Sequence, residues 1–522
     1  MNILTKTKSL CPECLSFLDA TIFEKNNKVW IKKNCEKHGE FLDLYFGDYD
    51  MYKRFMGFSH EGKGIENPNI NESNIVCPQA CGLCKMHSTH TALGNIVVTN
   101  RCDLQCWYCF FYAKKMGYVY EPSLEQIREM LRSMRKEKPV PANAIQLTGG
   151  EPTIRNDIIE IIKIAKKEGY DHIQLNTNGI RMASDPNFTT EVRKAGSNTV
   201  YLSFDGTTPK TNPKNHWEAP KILENCRKAN LGIVLVPTVI NSINDHDVGN
   251  ILKFGIRNID IVRAVNYQPV SLVGRITKAD VRKYRITIPD VIERLEKQTD
   301  GMIVKEDFFP IPVVTPLTHL VEAITGLPKY ELTTHAVCGA ATYLFLDGKK
   351  VVPIPRFVDV AGLMEYLDEK AEEIKSGKGK ITASLKILAK IGSFIDKDKQ
   401  PKDLNLAKIL FDIAIKHDYE ALGELHLKTL FIGMMHFMDL WNYDIERVKR
   451  CCVHYAQPNG TIVPFCAFNV IPQWYRDAIQ EKFSMPIKEW EKKVGRELQT
   501  DFYKRDIKKL EASEAYKKTY GN

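Results

Sequence analysis

"TNRCDLQCWYCFFY", residues 99–112, places Cys102, Cys106 and Cys109 at spacings of four and three, directly after the apolar stretch NIVVTN (95–100). Three thiolates can bind three irons of a 4Fe–4S cluster, which leaves the fourth iron with an open coordination position. Because a loop that follows a parallel strand lies at the carboxyl end of the sheet, the cluster would lie at the mouth of a barrel. The spacing alone would also suit a zinc knuckle or three unrelated buried cysteines.

Short strand-like runs alternate with helical stretches through the middle of the chain. Repeated strand–helix units imply a parallel sheet with right-handed crossovers. We therefore expect an α/β protein in which six strands form a partial (β/α)6 barrel. The strand candidates after residues 95–100 are AIQLTGG (144–150), HIQLNTNG (172–179), TVYLSFDG (199–206), GIVLVPTV (232–239) and IDIVRAV (259–265).

The chain of 522 residues is long for one domain, and we expect three regions. Residues 1–90 are rich in cysteine and histidine and would form a metal-binding region, followed by the partial barrel over residues 91–270. Residues 271–522 are more helical in pattern and hold further cysteines. We expect this last region to be mostly helical and to provide substrate and auxiliary-cluster sites.

The second strand candidate ends in TGGEPT, residues 148–153. Together with CxxxCxxC at residues 102–109, this GGEP motif resembles the radical S-adenosylmethionine (SAM) superfamily over residues 95–265. In that superfamily the open iron binds the amino and carboxylate groups of SAM. Reductive cleavage of SAM then releases a 5′-deoxyadenosyl radical, which abstracts hydrogen from a substrate. The resemblance implies the same fold, cofactors and chemistry here.

The resemblance also implies a set of SAM-binding residues at the carboxyl ends of the strands. The glycines of GGEP would let the backbone approach the cofactor closely, and Glu151 would serve either the cofactor or the turn itself. Arg263 would reach the carboxylate or the ribose, and no catalytic residue beyond the cluster is assigned. The implied set is Tyr108, Gly149, Gly150, Glu151, Asn178, Ser203, Asp205, Thr238 and Arg263.

CPEC (11–14) and CEKHG (35–39) pair two short metal-ligand motifs near the N-terminus. The spacing of Cys11, Cys14, Cys35 and His38 is typical of a closed tetrahedral mononuclear site. Zinc is the default metal for such ligands, and rubredoxin-like iron is the alternative.

A second C-x3-C-x2-C motif, CPQACGLC, spans residues 77–84. Because it does not follow a strand candidate, we interpret Cys77, Cys81 and Cys84 as ligands of an auxiliary cluster that His87 closes. The alternative is that these thiolates complete the nearby mononuclear site.

Four later cysteines, Cys338, Cys451, Cys452 and Cys466, have no diagnostic spacing. C-terminal extensions of radical SAM enzymes often carry clusters, so the resemblance implies another auxiliary cluster here. Adjacent thiolates rarely bind one cluster without strain, so Cys451 and Cys452 would divide roles, or His454 would enter. The expected inventory is three 4Fe–4S clusters, SAM and one mononuclear iron or zinc.

The composition limits the partners only loosely. The formal charge of +9 suits an anionic small molecule, a phospholipid head group or weak nucleic-acid contact, and no nucleic-acid motif is evident. Clustered cysteines without an apolar N-terminal segment favour metal ligation over disulfides. No run of eighteen apolar residues occurs, so we expect no membrane-spanning helix. We expect a cytoplasmic protein with peripheral contact to a membrane.

Two C-terminal stretches favour a lipid substrate. LKTLFIGMMHFMDLW (427–441) combines methionines with aromatic residues, which suits a wide apolar cavity as well as an ordinary core. KITASLKILAKIGSFI (380–395) has the pattern of a basic amphipathic helix, which lies either on a membrane or over a core.

The order of CPEC, CEKHG, CPQACGLC, the cysteine stretch and LTGGEPT resembles the archaeal tetraether lipid synthases. That resemblance implies an oxidoreductase that couples two hydrocarbon tails of archaeal diether lipids by C–C bond formation. The implied partners are an archaeal phospholipid and a small electron donor such as ferredoxin or flavodoxin. The main alternative is a radical SAM C-methyltransferase that acts on a pterin or another heterocycle. A scaffold that has lost catalysis and an RNA-modifying enzyme are weaker alternatives.

Overall fold

The computed structural model describes residues 2–70, 76–79, 81–109, 111, 113–273, 277–348, 350–377, 379–402, 404–409 and 429–521. Residues 110 and 112 of the cysteine stretch lie outside the described residues. So do residues 427 and 428, at the start of the methionine and aromatic stretch.

Within these described ranges the strands form three sheets. The strands are β1 (Asn2–Leu10), β2 (Phe17–Lys25), β3 (Lys28–Cys35), β4 (Gly39–Phe46), β5 (Leu93–Thr99), β6 (Tyr118–Val119), β7 (Ala144–Gly149), β8 (His172–Thr177), β9 (Thr199–Ser203), β10 (Gly232–Val236), β11 (Thr238–Val239), β12 (Val262–Pro269), β13 (Phe309–Pro310), β14 (Gly339–Asp347), β15 (Lys350–Pro353), β16 (Thr429–Met435), β17 (Val453–Ala456), β18 (Ile462–Pro464) and β19 (Met485–Pro486).

The helices lie mostly between and after the barrel strands. They are α1 (Tyr49–Met56), α2 (Ala113–Met116), α3 (Leu124–Arg135), α4 (Ile158–Lys167), α5 (Ile180–Ser184), α6 (Pro186–Ala195), α7 (Ala219–Ala229), α8 (Val248–Arg257), α9 (Lys278–Tyr284), α10 (Ile288–Gln298), α11 (Thr315–Thr325), α12 (Val360–Lys375), α13 (Lys380–Lys390), α14 (Ile445–Lys449), α15 (Phe465–Val470), α16 (Arg476–Gln480), α17 (Ile487–Val494), α18 (Ile507–Glu511) and α19 (Glu514–Tyr520).

The N-terminal ribbon is an antiparallel sheet in the order β1-β2-β3-β4. Buried and exposed residues alternate along β3, which is the pattern of a sheet with one face covered. The covered face includes Ile22 and Ile31, which belong to the same apolar core as the barrel residues Leu147 and Leu175. The ribbon therefore packs directly on the barrel.

The predicted partial barrel is confirmed. Six parallel strands lie side by side in the order β12-β10-β9-β8-β7-β5. Helix α3 shows why the intervening segments are helices, because its capping box at Ser123 and Gln126 satisfies the first backbone N–H groups. Its buried residues Ile127, Met130 and Met134 recur every three or four positions and pack on the sheet.

The C-terminal region holds helices, as predicted, and also extends the sheet at both edges. Strand β16 pairs in parallel with β12, and β17 pairs in parallel with β5. Met434 in β16 is fully buried, so the methionine stretch contributes a core strand. None of the described helices is long and apolar enough to cross a bilayer.

Candidate cofactor and metal sites

A cavity of about 370 Å³ lies at the carboxyl ends of the parallel strands. The three cysteines Cys102, Cys106 and Cys109 line it together with Gly149 and Gly150 at the end of β7. Amide, aromatic and methionine side chains from later strands complete its walls. The structure therefore brings the cysteine stretch and the GGEP motif to the same cavity.

The two glycines allow the cysteine loop to lie against β7. Gly149 has a φ of +148°, and a Cβ at Gly150 would overlap the backbone carbonyl of Arg101. The Gly150 N–H donates to the Thr99 carbonyl at 2.8 Å, and the Glu151 N–H donates to the Arg101 carbonyl at 2.7 Å. Any side chain at position 150 would therefore displace the loop that carries the cysteines.

The cysteine side chains are suited to hold a cluster. Burial raises the pKa of the Cys106 thiol to about 11 and raises the pKa of Cys102 and Cys109 as well, so these groups need a cation to ionise. Backbone N–H groups approach two of the sulfurs, from Leu104 to Cys102 and from Phe111 to Cys109, each at 3.4 Å. Three half-buried cysteines that share a cavity, two of them with a backbone N–H at the sulfur, fit a 4Fe–4S cluster.

A buried ion pair beside the cysteines was missed at the sequence level. Lys214 Nζ lies 2.8 Å from Asp205 Oδ2, and the lysine also donates to the Ser203 hydroxyl. Tyr108 donates its hydroxyl to the same carboxylate oxygen at 2.5 Å, and the Thr238 N–H donates to the other at 3.0 Å. Burial lowers the pKa of Lys214, but the charges of Asp205, Cys106 and Cys109 and the hydrogen bond to Asp205 together raise it. Four of the predicted SAM-binding residues, Tyr108, Ser203, Asp205 and Thr238, are thus joined around this ion pair.

Glu151 and Asn178 link neighbouring strand ends. The buried Glu151 carboxylate accepts hydrogen bonds from the Thr153 N–H at 3.0 Å, the Thr177 hydroxyl at 2.7 Å and the Asn178 N–H at 2.7 Å. The Asn178 side-chain amide donates to Asp103 Oδ1 at 2.6 Å. Burial raises the pKa of Glu151 despite these donors. The contacts give Glu151 a structural role in holding β7, β8 and the cysteine loop together.

The ribbon brings its four predicted metal ligands together. The ligand atoms of Cys11, Cys14, Cys35 and His38 all lie within 4.8 Å of one another. His38 Nδ1 is 3.5 Å from the sulfurs of both Cys11 and Cys35. Burial raises the pKa of Cys35, but hydrogen bonds from His38 and the backbone bring it down to about 6. Three sulfurs and one imidazole nitrogen fit a tetrahedral metal site.

Comparisons with known proteins agree with the cluster site at the barrel and with the metal site of the ribbon. The family model described as "Radical SAM superfamily" matches residues 96–255, and the "HMPTM N-terminal zinc ribbon domain" matches residues 3–47. A 7,8-dihydro-6-hydroxymethylpterin dimethyltransferase from Methanocaldococcus jannaschii is 46% identical over 504 residues, which cover 94% of this chain and 98% of that protein. The chain belongs to this dimethyltransferase family, within the radical SAM superfamily.

More distant matches concern parts of this radical SAM chain. A GTP 3′,8-cyclase from Clostridium acetobutylicum is 28% identical over 236 residues, covering 43% of this chain and 73% of that protein. The solved structure of the radical SAM methyltransferase TsrM from Kitasatospora setae, with cobalamin and a 4Fe–4S cluster bound, is 10% identical. It covers 45% of this chain and 46% of that chain with a TM-score of 0.27, which supports no conclusion.

Membership of the superfamily is confirmed, and with it the 4Fe–4S cluster and SAM as cofactors. The prediction of a tetraether lipid synthase that couples lipid tails is wrong, because the relative that matches nearly the whole chain is a pterin dimethyltransferase. The predicted phospholipid partner is wrong for the same reason. The features that favoured a lipid also have structural roles, since Met434 is in the core and Ile387 of α13 packs in a second apolar cluster.

Among the predicted SAM-binding residues, Arg263 is not brought to the cavity of this radical SAM enzyme. It lies near the amino end of β12 and donates to the carbonyls of Ile259 and Asp260 at 3.0 and 2.8 Å. Asn266 and Gln268, toward the carboxyl end of the same strand, line the cavity instead.

The second cysteine motif lies near the C-terminal cysteines. Cys81 and the later Cys466 belong to one apolar cluster, against which Cys77 also packs, and burial there raises the pKa of Cys81. His87 does not join them in a compact ligand group, because its Nε2 lies 2.7 Å from the Cys451 carbonyl and 3.0 Å from His454 Nε2. Over the described parts of the chain, the ribbon group is the one set of three or more metal-ligand residues whose ligand atoms all lie within 4.8 Å of one another.

The four later cysteines also share a neighbourhood. Burial and then the charge of Cys451 raise the pKa of Cys452 and Cys466, and Cys338 contributes to both shifts. Cys338 Sγ accepts a hydrogen bond from the buried Arg447 Nε at 3.2 Å. Cys466 lines the cavity that also holds the cysteine stretch.

Proposed function

We propose that the protein is a radical SAM C-methyltransferase that acts on a reduced pterin or a closely related heterocycle. The observation that carries the proposal is the 46% identity to the pterin dimethyltransferase across 98% of that protein. The cavity supports it independently, because its lining combines side-chain amides that can form hydrogen bonds with aromatic side chains.

The polar wall consists of side-chain amides from three barrel strands. Gln146 of β7, Asn176 of β8 and Asn266 of β12 line the cavity. Asn176 Oδ1 is buried and has no hydrogen-bond partner among the residues that the structure describes, so it is placed to accept a hydrogen bond from a ligand. An amide offers both donors and acceptors, which matches the amino and oxo groups on the edge of a pterin.

The apolar wall consists of stacked aromatic rings. Phe437 and Phe465 stack with ring centroids 3.8 Å apart, and Tyr455 stacks on Phe468 at 4.0 Å. All four side chains line the cavity. Flat aromatic surface together with a few fixed polar groups is typical of a site for a planar heterocycle.

The cofactors supply a 5′-deoxyadenosyl radical, formed from SAM by one electron, for hydrogen abstraction from substrate. In our proposal Cys102, Cys106 and Cys109 hold the cluster, and Lys214 with Asp205 orients the cavity wall beside it. The amide and aromatic walls hold the heterocycle within the same cavity and exclude water from it.

We also propose auxiliary clusters and a division of the chain into regions. Residues 1–90 would bind metal, residues 91–270 the SAM cofactor, and residues 271–522 substrate and a further cluster. A small ferredoxin or flavodoxin would supply electrons. The proposed auxiliary ligands are Cys77, Cys81 and Cys84 in one set and Cys338, Cys451, Cys452 and Cys466 in the other.

The test is anaerobic turnover of the reconstituted protein with reductant, methyl-labelled SAM and 7,8-dihydro-6-hydroxymethylpterin. We expect 5′-deoxyadenosine together with a pterin heavier by one or two CH2 units, and the label reports whether SAM is the methyl source. The Cys106→Ala variant, which lacks a cluster ligand, should form neither product. Formation of 5′-deoxyadenosine without any mass gain in the pterin would refute the proposal. A parallel incubation with archaeal diether lipid that alone gives a coupled product would also refute it.

A further inference from the structure

The segment after β16, residues 436–444, forms one side of the cavity, and we name it the wall loop. Phe437 and Met438 of the wall loop line the cavity, and Phe437 stacks on Phe465. The Met438 carbonyl accepts a hydrogen bond from the Ser271 hydroxyl at 2.6 Å, and Ser271 also lines the cavity. The position of the wall loop therefore sets the shape of the aromatic side of the site.

The opposite face of the wall loop is held by the N-terminal ribbon. The Ser9 hydroxyl donates to the Tyr443 carbonyl at 2.5 Å. Lys33 Nζ donates to the Leu440 carbonyl at 2.6 Å and to the Ser9 hydroxyl at 3.0 Å. Ser9 and Lys33 are both buried, so these bonds are shielded from water and cost more to lose than surface contacts.

Charged side chains strengthen the same contact. Arg285 donates to Asp439 of the wall loop at 2.6 Å and is also hydrogen-bonded to Asp43 of the ribbon. Tyr45 of the ribbon donates its hydroxyl to Asp444 Oδ2 at 2.7 Å. All of these groups are buried, so these hydrogen bonds between the ribbon, Arg285 and the wall loop are shielded from water.

The ribbon residues that hold the wall loop lie next to the metal ligands. Ser9 is two residues before Cys11, and Lys33 is two residues before Cys35. Trp441 of the wall loop packs against the small apolar cluster that contains both of these cysteines. Because the ligand set ties these strands together, binding of a metal would hold the ribbon side of the contact in place.

We propose that the ribbon is a positioning element for the substrate site. By fixing the wall loop, the ribbon holds Phe437 and Met438 against the substrate. The side of the cavity that binds the cofactor depends instead on the ends of β5 and β7. The identity of the substrate rests on the proposed function, but the mechanical link between ribbon and wall loop does not. Lys33 and Tyr45 are thus positioning residues that touch neither cofactor nor substrate.

The test compares Lys33→Met with Lys32→Met. The two lysines are neighbours on β3 and point to opposite faces, Lys33 being 2% exposed and Lys32 44% exposed at its side chain. Lys33→Met should speed hydrogen exchange in the wall loop by about tenfold, the equivalent of one lost charged hydrogen bond. It should also raise KM for the pterin more than it lowers kcat. Lys32→Met should match the parent in both measurements.

The ribbon metal per chain is measured in each variant, so that loss of the metal is not mistaken for loss of the contact. Tyr45→Phe, which removes only the hydroxyl that bonds Asp444, serves as a second variant if Lys33→Met fails to fold. Faster exchange in the wall loop with the metal retained supports the proposal. Unchanged exchange in the folded variants would overturn it. Because exchange needs no substrate, this outcome is distinct from a failure to methylate pterin.

Discussion

Replacing Lys214 with methionine would leave the Asp205 carboxylate beside the cofactor cavity without its cation. Both side chains are almost fully buried, at 8% and 6% exposure, and their charged atoms are 2.8 Å apart. The same carboxylate holds Tyr108, which lies between two of the three cysteines. We therefore expect the change to disturb the cysteine loop and to slow cleavage of SAM.

The expected loss of activity depends on the hydrogen bonds that Asp205 keeps when Lys214 is replaced. Removal of one partner from a buried ion pair costs about 3–5 kcal/mol. Asp205 keeps hydrogen bonds from the Tyr108 hydroxyl and the Thr238 N–H, so we take the lower limit. If this whole cost appears in the cavity geometry that SAM cleavage requires, about 3 kcal/mol corresponds to a loss of about a hundredfold in kcat/KM for cleavage. Adding Asp205→Asn removes the unpaired charge, and we expect the double variant to recover about tenfold.

The assay is formation of 5′-deoxyadenosine under reducing conditions at varied SAM, with iron and sulfide measured in every variant. Lys210→Met is the matched control, because Lys210 is an exposed lysine of the same loop. Cleavage by Lys214→Met at the parental rate would refute the reasoning. A double variant that is no faster than Lys214→Met alone would show that the two residues are not coupled.

Three further changes test other parts of the structure. Gly150→Ala should lower iron content and SAM cleavage, because its Cβ would overlap the Arg101 carbonyl, whereas Gly392→Ala meets no neighbour and should match the parent. Burial raises the pKa of Glu137 to about 7 in the folded protein. The protonated carboxyl therefore contributes fully to the free energy of unfolding below the ordinary pKa of glutamate, and this contribution is lost as pH rises through about 7. Relative to Glu137→Gln, the parent should lose about 3 kcal/mol of stability between about pH 5 and about pH 8. Melting temperatures that change with pH in the same way for both proteins would contradict this. Cys35→Ser should remove the ribbon metal, read as metal per chain, without lowering the iron of the 4Fe–4S cluster.

Much of the barrel could be predicted because the sequence patterns that indicate its strands and motifs each span only a few neighbouring residues. Apolar runs such as residues 95–100 and 144–150 end in short motifs, and parallel strands bring those ends to one edge. The ribbon site was equally accessible, since Cys11 and His38 belong to two motifs of known ligand spacing.

The remaining site residues could not be predicted because they depend on strand boundaries and on the tertiary course of loops. A strand over residues 259–265 was expected, but β12 begins at Val262. Because β12 starts later than expected, Arg263 lies at the amino end of the strand and Asn266 lines the cavity. Nothing in the loop after β9 distinguishes the exposed Lys210 from the buried Lys214.

The substrate was mispredicted for a different reason. A run of methionine and aromatic residues has the same composition in a core strand as in a lipid channel. The cavity wall is assembled from Phe437 and Phe465, which lie on separate segments and stack only in the folded chain. The amides that line the same cavity come from β7, β8 and β12, and each alone is an ordinary strand residue.

The cavity has cysteines at two places, and this arrangement can be tested through Cys466. Cys102, Cys106 and Cys109 line the cofactor side, and Cys466 also reaches the cavity from α15. If Cys466 ligates an auxiliary cluster, a serine there should lower iron and sulfide per chain while SAM cleavage without substrate continues. Cys226→Ser is the control, because Cys226 is buried within α7 in the apolar core. Equal iron content in the two variants would show that Cys466 only packs the wall, and the proposed C-terminal ligand set would then be wrong.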